Sequence, residues 1–404
     1  MVANSISQLT ARAQFPALGS DFIFLENAGG SQLPRCVIDA MASFMVESYV
    51  QTTAGYPASD RATEIGEQAH RVSEVLVGAE DAGKVILGAS TTQLMVMLAS
   101  CFSQILKPGD EVIVSVANHE ANAGPWARLD RFGVVVKWWG VDPETGEMRL
   151  EDLQSLLSNR TKIVAFPHTS NLLGNVVDVA AVTKMVHEVG GKVVVDGVAY
   201  ASHGFMEAAK WGVDFYSYST YKVYGPHMAA LFGRFEALEE LDGPNHFFVG
   251  KHEIPYKFEL GSLPWEGCAG IAALPEYLKL LAGREVMDRE TARLASAQMR
   301  DWEKPVTTKL LDYLASKPTV RVVGPTSGDR VPTVSFVSSR TSSPGIAAHV
   351  NKHKIGIRYG HMYSHRLTEA LGVSPDTGFA RVSAVHYNTV DEIERLCVLL
   401  DDVV

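Results

Sequence analysis

Between about residues 84 and 233, short runs of β-branched and apolar residues alternate with stretches of helical period. The runs are KVILG, EVIVSV, VVVKWWGV, KIVAFPHTS, KVVVDGV, DFYSYST and MAALFGR, with helices expected over Gln93 to Leu106 and near Pro125 to Arg131. Strands separated by helix-length segments require crossover connections, hence a mostly parallel sheet covered on both faces. DFYSYST and MAALFGR are joined across only a tight YGP turn, so an antiparallel pairing is expected there. After Gly283 the pattern changes to one long helix, REVMDRETARLASAQMRDWEKPVTTKLLDYLAS, followed by the strand candidates TVRVVG, TVSFVS, IGIRYG and ARVSAVHY. That texture predicts a separate α+β unit. TVDEIERLCVLLDDVV closes the chain as a helix, with Thr389 and Glu392 spaced as a capping box. Sheets of the first type bind ligands at the carboxyl ends of their strands, so the turns after the strands are where chemistry is expected.

Composition narrows the function classes. The chain has 404 residues, 46% hydrophobic and 20% charged, enough apolar material for a large core. A formal charge of -10, with Lys and Arg scattered, argues against a nucleic-acid partner. The four cysteines, Cys36, Cys101, Cys268 and Cys397, form no C-x-x-C pair, which argues against structural zinc or a disulfide framework and fits a reducing compartment. MVANSISQLTARAQFPAL lacks the basic start and continuous apolar core of a secretory signal, and no 18-residue uncharged apolar run occurs. The expectation is a cytoplasmic protein with no membrane partner.

Candidate chemistry follows the strand ends. Ser90-Thr91-Thr92 opens a helix, where free N–H groups, the dipole and hydroxyls suit a phosphate, although Ser and Thr are equally common as simple N-caps. His119 lies just past EVIVSV, where an imidazole can stack on an aromatic ligand, act as acid or base, or be an ordinary loop residue. Asn171, in KIVAFPHTSNLLG, reads either as a donor to a ligand oxygen or as a turn former. Asp196 directly follows apolar strand residues in KVVVDGVAYASHG; a half-buried carboxylate there needs a cation or hydrogen-bond donors. A protonated pyridine nitrogen is one such cation, and a turn-forming Asp-Gly pair is the plainer alternative. Lys222, in DFYSYSTYKVYGP, comes one helix and one strand later, so neighbouring strand ends can present a carboxylate and an amine to one ligand. Desolvation there lowers a lysine pKa and favours attack on an aldehyde.

Taken together these segments resemble the class V aminotransferase family of fold-type I pyridoxal phosphate enzymes, most closely the cysteine desulfurase-like subgroup. The resemblance runs from FLENAGGS at Phe24 to HYNTVDEIERL, and HEANAGPW, SNLLGN, VVVDG, DFYSYSTYKVYGP and FELGS carry it in family order. It implies an α/β fold, aspartate aminotransferase-like, with a mostly parallel seven-stranded sheet and a smaller C-terminal α+β domain. The implied division is 1–24 as a segment packing with the small domain, 25–285 as the large domain and 286–404 as the small one. The implied cofactor is pyridoxal 5'-phosphate, with Lys222 forming the internal aldimine, Asp196 on the pyridinium nitrogen and His119 stacked on the ring. Thr91, Thr92, Ser219 and Tyr221 would hold the phosphate, Tyr221 standing where many relatives carry histidine. Asn171 would lie near the cofactor's phenolic oxygen and the substrate, and His203 is a further cofactor-binding candidate.

Arg381, in GFARVSAVHYNT, matches the family arginine that clamps the substrate α-carboxylate, a task suited to the planar guanidinium fork. Arg358, in IGIRYGH, is a second candidate, and Ala28 and Gly29 match the loop that passes over the substrate. Ser262 of FELGS would reach the partner subunit's phosphate. A homodimer with active sites at the interface, acting on a small amino-acid substrate, is therefore implied.

The chain departs from the pattern in two places. Where one major desulfurase group carries its persulfide cysteine after R-x-G-H, RYGHMYSHR has Met362 and Tyr363. Cys36, Cys101 and Cys397 sit in helix-like apolar patterns, and Cys268 follows the dimer-loop motif. Where relatives often place a glutamine after the aspartate, this chain has Ala199. The expected activity is therefore a lyase or carbon–carbon bond-forming or cyclising enzyme of a biosynthetic pathway, working at Cα through an external aldimine and a quinonoid carbanion, as resemblance to fungal alkaloid-pathway members implies. Tyr363, His361 and Tyr56 are candidates for acid, base or substrate wall, with Trp265 and Met362 as apolar pocket residues. The alternatives are an aminotransferase or epimerase, a cysteine desulfurase or C–S lyase, and a non-catalytic dimeric scaffold.

Overall fold

The computed structural model describes residues 6–404 and contains a seven-stranded sheet, a four-stranded sheet and a two-stranded pair. After the short β1 (Ile23–Phe24) come β2 (Gly83–Gly88), β3 (Glu111–Ser115), β4 (Val135–Trp139), β5 (Thr161–Pro167), β6 (Lys192–Asp196), β7 (Phe215–Ser219) and β8 (Ala229–Arg234). The last seven form the large sheet in the order β2-β8-β7-β6-β5-β3-β4. Strands β3 to β7 pair parallel, whereas β8 runs antiparallel to both β7 and β2. The short connection after β7 leaves no length for a crossover, so reversal is the only way to stay in the sheet.

Strand alternation sorts the core into two layers. Val85, Ile113, Val164, Val193 and Val195 face one apolar cluster, while Ile86, Val112, Val114, Ile163 and Val194 face the other. Helix Val179–His187 supplies Val182 and Val186 to the first layer, and helix Thr91–Phe102 supplies Leu94 and Leu98 to the second. Burial on both faces explains why these strands read as continuous apolar runs. The helix expected near Pro125 to Arg131 is instead one α-turn, Gly124–Ala127, continued as a 3-10 turn, Arg128–Phe132, and stopped by Gly133 at φ 81°. Glycine adopts that left-handed conformation without the penalty a Cβ imposes.

The second sheet contains β9 (Val320–Val323), β10 (Thr333–Ser338), β12 (Arg358–Gly360) and β13 (Phe379–Ser383), all antiparallel in the order β12-β13-β10-β9. The run IGIRYG, expected as one strand, is split. Its first half, β11 (Ile355–Gly356), pairs parallel with β1, and its second half is β12. Between them the N–H of Ile357 donates to Asn351 Oδ1 at 3.0 Å, a side-chain bond that diverts the ladder. Helix Arg289–Ala315 is capped by Asp288, which accepts from Thr291 N, and helix Val390–Leu400 carries the Thr389/Glu392 capping box. The N-terminal segment is stitched to the chain's last part: Gln8 Nε2 donates to the carbonyls of His386 and Asn388, both at 2.7 Å, and Arg12 pairs with Glu392 at 2.7 Å.

One contact between the sheets positions the site. Ser335 Oγ, on β10, donates to Leu172 O at 2.7 Å, and Asn175 bridges to Arg330, so the SNLLGN turn after β5 is gripped by the second sheet. That grip places β13 and its Arg381 beside Asn171. Among the described residues no helix is long and apolar enough to cross a membrane, and no cluster of His, Cys, Asp and Glu is arranged to hold a metal ion.

Candidate active site

The carboxyl ends of β5, β6 and β7 and the start of helix Thr91–Phe102 converge on one cleft. Thr91, Thr92, His119, Asn171, Asp196, Ser219, Tyr221 and Lys222 all line it. This is the place where open parallel sheets present ligands.

Lys222 sits in the 3-10 turn Thr220–Lys222 directly after β7. Among the described residues its Nζ has no hydrogen-bond or ion-pair partner, and it lies 5.9 Å from the centre of the Tyr221 ring. Burial, with repulsion from Arg381, lowers its pKa to about 8, against a weaker pull upward from Asp196 and Glu26. Asp196 is 5% exposed, and its Oδ1 accepts from Val198 N at 3.0 Å. Burial raises its pKa, while that N–H and Lys222 draw it back.

His119 Nδ1 accepts from Ala121 N at 3.0 Å, so the neutral ring carries its proton on Nε2. Burial first, then Lys222 and Arg381, push its pKa down to about 3, which keeps the ring uncharged at neutral pH. At the other end, Thr91 Oγ1 and Ser219 Oγ share a 2.9 Å hydrogen bond, and Ser90 caps the helix by accepting from Gln93 N at 3.2 Å. The first helical N–H groups, those of Thr91 and Thr92, lack intrahelical partners by geometry, an arrangement that suits an anion.

Asn171 lines the cleft, and its Nδ2 donates one N–H to Met362 O at 2.9 Å while its Oδ1 accepts from Ser364 Oγ at 2.7 Å, so the amide holds the Met362–Ser364 loop and keeps its second N–H. That loop contains two successive left-handed non-glycine residues, Met362 at φ 44° and Tyr363 at φ 61°. Such conformations cost about 1–3 kcal/mol each. They are held by Asn171 and by Glu120 N, which donates to Tyr363 O at 2.8 Å. The result sets the Tyr363 ring 5.3 Å from His119.

Arg381 is 2% exposed; its Nη1 donates to Asn171 O at 3.0 Å and its Nη2 to Glu26 Oε1 at 3.1 Å. Arg358, opposite it in the β12–β13 register, reaches the same Glu26 oxygen at 3.5 Å. Ala28 N donates to Ser383 Oγ at 2.9 Å, which ties the ENAGG turn to β13.

Two expected site residues, His203 and Tyr56, lie elsewhere, and Ser262, expected to serve a partner subunit, also lies outside this cleft. His203 Nδ1 pairs with Glu303 Oε1 at 2.9 Å in a buried contact with the Arg289–Ala315 helix and does not line the cleft; the strand before it ends at Asp196, and the turn carries His203 away. Tyr56 precedes helix Pro57–Val77 and is 44% exposed, outside the cleft. Ser262 is exposed in a separate hollow with His70, Glu259 and Trp265. None of the four cysteines lines the cleft, and burial pushes the Cys268 thiol up to about 12. Residues not anticipated are Glu26, whose only signal is an acid next to NAGG, and Thr169, whose buried Oγ1 has no partner among the described residues.

Residues 23–396 match the family model described as Aminotransferase class-V. The chain belongs to the class V aminotransferase family. It is 36% identical over 412 residues to an aminotransferase-like protein of Gibberella zeae, covering 99% of each chain. It is 30% identical over 415 residues to a cysteine desulfurase-like protein of Aspergillus flavus, covering 99% of this chain and 91% of that one. The crystal structure of a cysteine desulfurase from Escherichia coli superposes with a TM-score of 0.84 at 26% identity, covering 99% of this chain and 98% of the other. Class V aminotransferases are pyridoxal phosphate-dependent enzymes. The mostly parallel seven-stranded sheet is the large-domain sheet of that fold.

Proposed function

We propose that this class V enzyme binds pyridoxal phosphate in the cleft and acts at Cα of an amino acid as a lyase or carbon–carbon bond-forming enzyme of a biosynthetic pathway. The observation that carries this reading is a partly buried, unpartnered Lys222 amine sharing a cleft with a buried carboxylate, Asp196, while the loop at the substrate end offers Met362 and Tyr363 and no thiol. The residues fit the cofactor: among the described residues the buried hydroxyl of Thr169, which lines the cleft, has no partner, and buried Asp196 has Val198 N as its one hydrogen-bond donor, so it is the partner a ring cation needs.

In this reading Thr91, Thr92, Ser219 and Tyr221 hold the phosphate, His119 stacks its neutral ring, Asp196 faces the ring nitrogen, and Arg381 with Arg358 binds the substrate carboxylate. When bound, the cofactor supplies an aldehyde for an amine and a conjugated ring that takes up the electron pair released at Cα. Lys222, with a pKa of about 8, would be neutral often enough near pH 8 to hold the cofactor's aldehyde carbon, and its Nζ, once freed by the incoming substrate amine, would be the group placed to move a proton to or from Cα. His119 accepts from Ala121 N, so it orients rather than supplies a base. Tyr363, held beside His119, is the acid or wall group at the substrate end. The exposed Ser262 supports a homodimer in which it serves the partner's phosphate site. The aminotransferase-like name of the Gibberella relative keeps transamination as the second reading.

Purified protein is expected to show the visible absorbance of lysine-linked cofactor, and Lys222→Ala to lose it. In heavy water the enzyme should exchange Cα deuterium into, or release carbon dioxide from, a subset of amino acids. It should leave L-cysteine without a protein persulfide. A persulfide on any of its cysteines would return the desulfurase activity, and keto-acid release would favour transamination.

A further inference from the structure

We propose that Glu26 determines substrate selection by occupying, in the free enzyme, the seat on Arg381 that a ligand carboxylate takes. The inference rests on reading Arg381 as the carboxylate clamp. A carboxylate binds guanidinium best through two parallel N–H donors on one edge, and the edge left to a ligand here is that of Nε and Nη2, because Nη1 is engaged by Asn171 O at 3.0 Å. On that edge Nη2 donates to Glu26 Oε1 at 3.1 Å, while the buried Nε has no partner among the described residues. Glu26 thus makes one bond where a free carboxylate makes two.

The surroundings explain why an internal carboxylate stands there. Arg381 is almost fully buried next to two further cations, Lys222 and Arg358, so an empty clamp would hold an unpaired guanidinium out of water. Glu26 neutralises it and keeps the fork preformed. Its place is shaped by Gly29: a Cβ there would lie 2.2 Å from Glu26 Oε1. Its exit is also built. The same oxygen is 3.5 Å from Arg358, whose side chain is 49% exposed, so the displaced carboxylate pivots toward solvent without losing a cation. A ligand bringing its own carboxylate exchanges one charge for another and gains the Nε bond. An amine without a carboxylate leaves Glu26 in place and gains nothing from Arg381.

The test titrates the holoenzyme with L-alanine and with ethylamine, following the cofactor's visible absorbance. Glu26→Gln, which keeps the shape and removes the charge, should lower the half-saturating L-alanine concentration roughly tenfold and leave that of ethylamine unchanged. Glu26→Asp, which withdraws the carboxylate by one methylene, should move L-alanine in the same direction. Arg381→Leu should weaken L-alanine and spare ethylamine. If Arg381→Leu weakens L-alanine while Glu26→Gln weakens it or leaves it unchanged, Glu26 supports the clamp instead of competing for it and the proposal is overturned. If Arg381→Leu leaves L-alanine unaffected, the clamp itself is misassigned and the seat with it.

Discussion

A lysine whose ammonium is disfavoured should reveal itself in how fast it reacts, and Lys222 allows the size of the effect to be worked out. Its pKa falls from an ordinary 10.5 to about 8. At pH 7 that raises the neutral, nucleophilic fraction from about 0.03% to about 9%, a gain of about 300-fold. The perturbation is pH, and the assay is the rate at which cofactor-free enzyme takes up pyridoxal phosphate, divided by the rate for Nα-acetyl-lysine so that ionisation of the aldehyde cancels. Below pH 8 the ratio should be flat. From pH 8 to about 10.5 it should fall by about tenfold per pH unit, because the free amine is then gaining neutral form and Lys222 is not. Arg381→Leu removes a repulsive charge and should move the break to higher pH, while Asp196→Asn removes an attractive one and should move it lower. The same difference is a stability cost of about 3 kcal/mol. The sign follows from the lowered value: below pH 8 both folded and unfolded chains carry the proton and the full penalty applies, and above 10.5 neither does and it vanishes. Lys222→Met should therefore stabilise the cofactor-free protein at pH 7 and lose that advantage by pH 10.5. A rate ratio that stays constant across the whole range would refute the argument.

Two further outcomes can be checked. Asn171→Ala removes both side-chain bonds to the Met362–Ser364 loop and should release a strained segment, seen as faster amide exchange over residues 361–364 with the global melting temperature changed by only a few degrees. Thr389→Ala deletes a helix cap that accepts from Glu392 N and should cost about 1 kcal/mol in chemical denaturation, whereas Thr389→Ser should cost little.

The sheet was legible in the sequence because its strands, the edge strand β4 apart, are buried on both faces and so appear as unbroken runs between helical segments. The antiparallel return of β8 was legible for a simpler reason, the shortness of the connection before it. The division of IGIRYG was not, because the break depends on Asn351 reaching Ile357 N, a tertiary bond with no local pattern. Within the site, the strand-end positions of Asp196 and Lys222 carried their own signal, while Ser219 was legible only through the family resemblance. Asn171 was recognised as a site residue, yet its partners lie 191 and 193 residues further along the chain, beyond any motif. His203 misled by following VVVDG closely, while the acid that claims it, Glu303, comes 100 residues later. Glu26 was missed because a single acid in a turn has no period, and only its two arginine neighbours give it meaning.

The stitching of the N-terminal segment to the far end of the chain bears on the order in which the enzyme is made. Gln8 waits for carbonyl partners that are translated 378 and 380 residues after it, and Glu26 waits 355 residues for Arg381. The large sheet, complete by Arg234, has all of its strands long before then. During synthesis the proposed cofactor end of the cleft can thus organise before the arginine proposed to bind the substrate carboxylate has been made. Contacts of such long range are late and slow to form. A chain that has emerged past Arg234 but not yet to Arg381 therefore holds every strand of the large sheet but not the arginine proposed to bind the substrate carboxylate.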